Sequence, residues 1–80
     1  MARKKANGQD VDAVIWSRTI ALRMMMIRKS QRMTQQGLAD SVGLTRTSIV
    51  NIEAHNQSMS LTTLWHVARA LGVPVRKLLP

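Results

Sequence analysis

The sequence predicts an all-α fold, a compact bundle of about five short helices. Three observations carry this. Apolar residues recur at three- and four-residue spacing in each periodic segment, the interval that lines one side of a helix. Nothing alternates with period two for long enough to make a strand. Residues that start and stop helices bracket those segments: Thr34, Thr45 and Ser60 as caps, Gly43 and Gly72 as ends.

Residues 1–9, with Arg3, Lys4 and Lys5, lack apolar periodicity, and residues 1–11 are read as a flexible basic arm ahead of a domain spanning 12–80. Asp10 or Asp12 caps the first helix, whose stripe is Ile20, Met24 and Ile27. The run Met24-Met25-Met26 exceeds what one helix face buries, so Met24 is assigned to the core and Met25 or Met26 is left partly exposed. Thr34 caps a second helix over 35–42, with Leu38, Ala39 and Val42 facing inward, and Gly43 ends it. After Leu44, Thr45 caps a third helix that is spaced by Ile49 and Ile52 and runs to about Glu53. A polar loop follows over 54–60. Ser60 caps a fourth helix striped by Leu61, Leu64, Val67, Ala68 and Leu71, and Gly72 stops it. Pro74 suits the first position of a fifth, carrying Val75, Leu78 and Leu79.

Charge narrows the function. Twelve Lys and Arg face four Asp and Glu in 80 residues, a formal +8 with His neutral. Such a surface attracts polyanions: nucleic acid, anionic lipid or an acidic protein. With no Phe or Tyr and only Trp16 and Trp65, the chain lacks the stacking platforms of single-strand binders. Duplex contact fits better. There is no Cys, so neither a disulfide nor a thiolate metal site supports this small core, and self-association is the remaining common remedy. His55 and His66 are too isolated for a metal site, and no serine stands in a nucleophile-elbow context. No metal, no cofactor and no catalysis are expected. The densest apolar run is too short to span a membrane and the N-terminus lacks a secretory apolar stretch, which reads as cytoplasmic, nucleoid-associated when bound.

Two short helices joined by a tight glycine turn make a helix-turn-helix. Ala39 allows close approach, Gly43 turns the chain, and Leu44, Ile49 and Ile52 pin the crossing. The outer face of the third helix is then free to enter a major groove. The pattern Thr34-Gln35-x-x-Leu38-Ala39-x-x-x-Gly43-Leu44-x-x-x-x-Ile49-x-x-Ile52-Glu53 is followed by Leu61-x-x-Leu64-x-x-Val67-Ala68-x-x-Leu71-Gly72-Val73. Together they resemble the lambda-repressor/Cro superfamily over roughly residues 20–79. The segment Leu44-x-Arg46-Thr47-x-Ile49 is similar to the recognition helix of restriction–modification controller proteins, and small phage regulators are of similar size.

The resemblance implies roles. Thr45, Arg46, Thr47 and Asn51 would point toward base edges, Ser48 toward the backbone, and Gln35 to a phosphate. The chemistry agrees, since Arg suits guanine O6 and N7, Asn suits adenine N6 and N7, and a Thr methyl touches thymine. Asn56, Gln57 and Ser58 are further phosphate candidates. Arg3, Lys4 and Lys5 either wrap the duplex or only aid solubility. Arg28 and Glu53 match an Arg and a Glu that pair in the family, tying the first helix to the end of the third. The sequence departs from the family at Gly37, where an acid usually completes a capping box, at His55, where Gly is usual, and at Met59, where Pro is common. His tolerates positive φ better than most residues, so that turn survives with some strain.

The implied function is a sequence-specific duplex DNA-binding regulator, a repressor or autoregulator, acting as a homodimer on a palindromic operator. Its dimer contact is expected at the C-terminal region: Trp65, Val73, Val75, Leu78 and Leu79. The alternative is an antitoxin-type protein that binds a toxin and autoregulates, which the ending at Pro80 without an extension disfavours. A basic amphipathic membrane-surface binder around residues 22–32 is the remaining reading.

Overall fold

The computed structural model describes residues 11–80. Four α-helices follow one another, α1 (Val11–Ser30), α2 (Gln35–Val42), α3 (Arg46–Glu53) and α4 (Leu61–Leu71), then a one-turn 3-10 helix (Val75–Lys77). No strand occurs among the described residues. The class is all-α, with four helices rather than about five. The expected fifth helix is a single tight turn, in which Pro74 caps and the N–H groups of Lys77 and Leu78 reach back only three residues, to Pro74 and Val75. Val11, assigned by the sequence to the arm, is the first residue of α1, and Asp12 lies in its first turn. Asp10 lies outside the described residues.

The caps form at the expected side chains. Thr34 Oγ1 accepts from the Gly37 N–H at 2.9 Å, Thr45 Oγ1 from the Ser48 N–H at 3.1 Å, and Ser60 Oγ from the Thr63 N–H at 3.0 Å. Gly43 and Gly72 both adopt φ 73°, the left-handed conformation that ends a helix. That turn lets the next N–H groups, of Leu44 and Val73, return to Ala39 and Ala68 at 3.0 Å. At the end of α1, where no glycine stands, Arg32 takes φ 57° and performs the same reversal.

The core joins Met24 of α1, Leu38 and Ala39 of α2, Ile49 and Ile52 of α3, and Leu64, Val67, Ala68 and Leu71 of α4. Leu78 completes it and is fully buried. This corrects the sequence assignment of Leu78 to a contact between copies, because its side chain is spent inside its own chain. Burying an aliphatic side chain of this size stabilises by about 1.5–3 kcal/mol. Met25 is half-buried and Met26 is exposed. Two side chains lock the C-terminal segment from a distance: Gln31 Nε2 donates to the Leu71 carbonyl at 2.6 Å, and Arg23 donates to the Leu79 carbonyl.

Candidate nucleic-acid interface

The orientation of α3 is held from beneath by one buried charge pair. Arg28 donates from Nε to Glu53 Oε2 at 2.7 Å and from Nη2 to Oε1 at 2.9 Å. Its third nitrogen, Nη1, donates to the Met33 carbonyl at 2.7 Å. Both side chains are under a tenth exposed. A fork-to-fork pair of this kind is a strong charge-assisted bond, and every remaining polar atom needs a partner. Among the described residues no buried side-chain nitrogen or oxygen lacks one. Gln35 joins the cluster, its Nε2 donating to Glu53 Oε1 at 3.1 Å. The amide that the sequence reading directed at a phosphate is therefore turned inward, and the ends of α1, α2 and α3 meet at one carboxylate.

Outside, α3 shows a polar face. Thr45, Arg46 and Thr47 are exposed, while Ser48 and Asn51 are half-buried. Thr47 and Asn51 are four residues apart and share a side, opposite the buried Ile49 and Ile52. The Thr45 hydroxyl accepts the cap bond from the Ser48 N–H and donates to Ser48 Oγ at 3.2 Å. Beyond α3, His55 adopts φ 63° where a glycine would be unstrained. The Asn56 N–H then closes onto the Asn51 carbonyl at 2.8 Å. Asn56, Gln57 and Ser58 stand exposed on that loop. Arg3, Lys4 and Lys5 lie outside the described residues.

The residues expected at a contact between copies fall on two different surfaces. Val75 and Leu79 line a groove shared with Trp16 and Leu61. Trp65 lies elsewhere, exposed on α4, with the Arg69 guanidinium carbon 5.2 Å from its ring centroid and His66 edge-on at 5.1 Å. Val73 is half-buried against the core. The tethers from Gln31 and Arg23 and the inward turn of Gln35 escaped the sequence reading, because a polar side chain reaching a distant partner leaves no periodic signal. Among the described residues no three His, Cys, Asp or Glu gather to hold a metal, and no helix is long and apolar enough to cross a membrane.

A capped, outward-facing polar helix set against a glycine turn on an all-helical core defines a DNA-binding helix-turn-helix regulator. The family described as helix-turn-helix, HTH_3, matches residues 24–78, and the chain belongs to it. In sequence the chain is 40% identical over 57 residues to the immunity repressor protein of Bacillus phage phi105, a match that covers 71% of this chain and 40% of the relative. The chain thus spans under half of that relative's length. Among solved structures it is similar to the restriction-modification controller protein C.AhdI from Aeromonas hydrophila, with a TM-score of 0.73, 26% identity, and 76% of this chain and 92% of that one covered. A hypothetical transcription factor from Neisseria, NHTF, superposes with a TM-score of 0.77 and 26% identity over 100% of this chain and 86% of its own.

Proposed function

We propose that this chain is a sequence-specific transcriptional repressor or autoregulator that binds an operator in duplex DNA as a homodimer, in the cytoplasm. The outer face of α3 is the observation that carries this reading. Arg46, Thr47 and Asn51 lie exposed or half-exposed on one polar helix whose opposite side is core, the arrangement that lets a helix enter the major groove. Thr45 contributes its methyl group to a thymine. Ser48, Asn56, Gln57 and Ser58 hold phosphates, and Arg3, Lys4 and Lys5 add charge along the backbone. Gln35 reaches a phosphate only by leaving Glu53, so its contribution is the α2 N-terminus first and its amide second. The names of the relatives, a phage immunity repressor and a restriction–modification controller, agree with a regulatory role.

A two-fold dimer places two recognition helices about 34–36 Å apart, one turn of duplex, and so reads an inverted repeat. Selection of bound duplexes from a random pool, followed by footprinting of the best site, tests this. The expected product is an inverted repeat with half-sites one helical turn apart. A pool with no enriched sequence would refute it.

A further inference from the structure

His55 holds a backbone conformation that its side chain makes costly. At φ 63° it shares the left-handed region with Arg32 alone among the described non-glycine residues. Strain of this kind clusters at ligand-binding sites, where a particular side chain is needed. His55 stands two positions beyond the end of α3 and leads directly into Asn56, Gln57 and Ser58, the loop set against phosphates. These four residues line one side of the groove that lies between α1 and the start of α4. Among the described residues that line it, none is Lys, Arg, Asp or Glu, and His55 is the one titratable group. The imidazole is half-buried, and among the described residues nothing hydrogen-bonds or ion-pairs with it. The charged groups on the surrounding elements are engaged elsewhere or lie outside the lining. Glu53 and Arg28 hold each other, Arg23 donates to the Leu79 carbonyl, and Arg69 lies over Trp65. Asp12, Arg18 and Arg76 are exposed and do not line the groove.

Asn56, Gln57 and Ser58 can each donate a hydrogen bond to a phosphate oxygen, but they bring no charge. The carbonyl end of α3 is the negative end of its dipole and repels a phosphate. An imidazolium between the two satisfies both, and as a charge-assisted donor it bonds a phosphate more strongly than a neutral amide does. We propose that His55 is itself a phosphate contact, its ring N–H donating to the duplex backbone, and that DNA binding takes up a proton there. The contact rests on the reading of the chain as a duplex DNA binder. It gives the imidazole a purpose at a turn where glycine would be unstrained: backbone strain is exchanged for a cation at the loop. The sign of the pH effect follows from charge. A phosphate favours the protonated ring, the complex holds more proton than its separate parts, and affinity rises as pH falls. The window runs from about pH 8 to about pH 5.5, where an imidazole changes charge.

Fluorescence anisotropy of the full chain on one labelled duplex at low salt, across that pH window, tests it. The parent should bind about tenfold more tightly at the acid end, the effect of one linked proton. His55→Asn, neutral and tolerant of positive φ, should match the parent near pH 8 and lose most of that gain. Its salt slope at the acid end should be smaller by about 0.9, the share of one phosphate contact. His55→Gly, free of backbone strain, should give the same flat profile. His66→Asn, which removes the other imidazole, should keep the parental one. Denaturant midpoints confirm that each variant is folded. A parental affinity that ignores pH overturns the contact, as does a His55→Asn profile that follows the parent's or a flat profile in His66→Asn. A parent that binds no duplex at any pH overturns the DNA reading as a whole, whereas duplex binding with an unaltered profile in both His55 variants overturns only the role of His55.

Discussion

The guanidinium of Arg28 and the carboxylate of Glu53 meet through two hydrogen bonds of 2.7 and 2.9 Å, tying the last residue of α3 to the last turn of α1. The pair is structural and faces away from the exposed side of α3. Glu53→Gln should therefore destabilise the fold, because it leaves Arg28 charged and buried with no countercharge and only two of its three acceptors. Removing one member of a buried pair costs about 3–5 kcal/mol. Thermal or urea unfolding measures it, and replacing both residues by Met and Leu should recover most of the loss. An unchanged melting temperature for Glu53→Gln, with tighter DNA binding, would refute the structural role.

His55 sits at φ 63° between α3 and the loop. A non-glycine residue held there carries about 1–3 kcal/mol of strain. Glycine removes the strain but adds about 0.4–1 kcal/mol of unfolded-chain entropy. His55→Gly should therefore gain about 1 kcal/mol in chemical unfolding. Gly43→Ala, at φ 73° with open space around it, should lose about 1–2 kcal/mol. A loss in His55→Gly would mean that the ring contributes packing that outweighs its backbone.

Gly37 is the third residue of α2, where helix propensity alone favours Ala by about 1 kcal/mol. A Cβ there would stand 3.1 Å from Thr34 Oγ1 and 3.5 Å from Met33 Cγ. The first contact is tight, and Thr34 Oγ1 already holds the cap bond to the Gly37 N–H. Gly37→Ala should gain little, well under the about 1 kcal/mol of propensity, because the cap must yield. In a Thr34→Ala background, itself about 1 kcal/mol weaker, the same substitution should gain more. Equal gains in both backgrounds, from denaturant midpoints, would show that the cap does not constrain Gly37.

Legibility from sequence followed the range of each interaction. Caps and stops are local, so Thr34, Thr45, Ser60, Gly43 and Gly72 were readable at the residue. The core stripe was readable from periodicity, with Leu38, Ile49 and Val67 all fully buried. Leu78 was misplaced because an apolar residue near a chain end looks alike whether it packs on its own chain or on another. The groove was invisible, since Trp16 and Leu61 lie 45 positions apart and only the fold brings them together.

The arm offers a separable electrostatic prediction. Each phosphate contact contributes about 0.9 to the slope of log affinity against log salt. Deleting residues 1–9 removes Arg3, Lys4 and Lys5. If all three reach phosphates, the slope should flatten by about 2.7, with the loss of affinity greatest at low salt. Fluorescence titration of an operator duplex at several salt concentrations measures it. An unchanged slope assigns the arm to solubility.

Arg46 is the sharpest test of the DNA reading. It is exposed, it is the first residue of α3, and it follows directly on the cap Thr45. At that end of a recognition helix a side chain reaches base edges, and a guanidinium pairs with guanine O6 and N7 in two parallel bonds. The rival role is a phosphate clamp, common for Arg in a protein this basic. Arg46→Ala distinguishes them when affinities for the selected operator and for a scrambled duplex are compared at one salt concentration. A base reader should lose about 1–3 kcal/mol on the operator alone and relax preference at one position of each half-site. A phosphate clamp should weaken both duplexes alike and lower the salt slope by about one. Because α3 is anchored from beneath by Arg28 and Glu53 rather than by Arg46, the variant should unfold at the same denaturant concentration as the parent. Equal losses on the two duplexes would exclude Arg46 as the reader and leave Asn51, with its capacity to pair with adenine, as the next residue to replace.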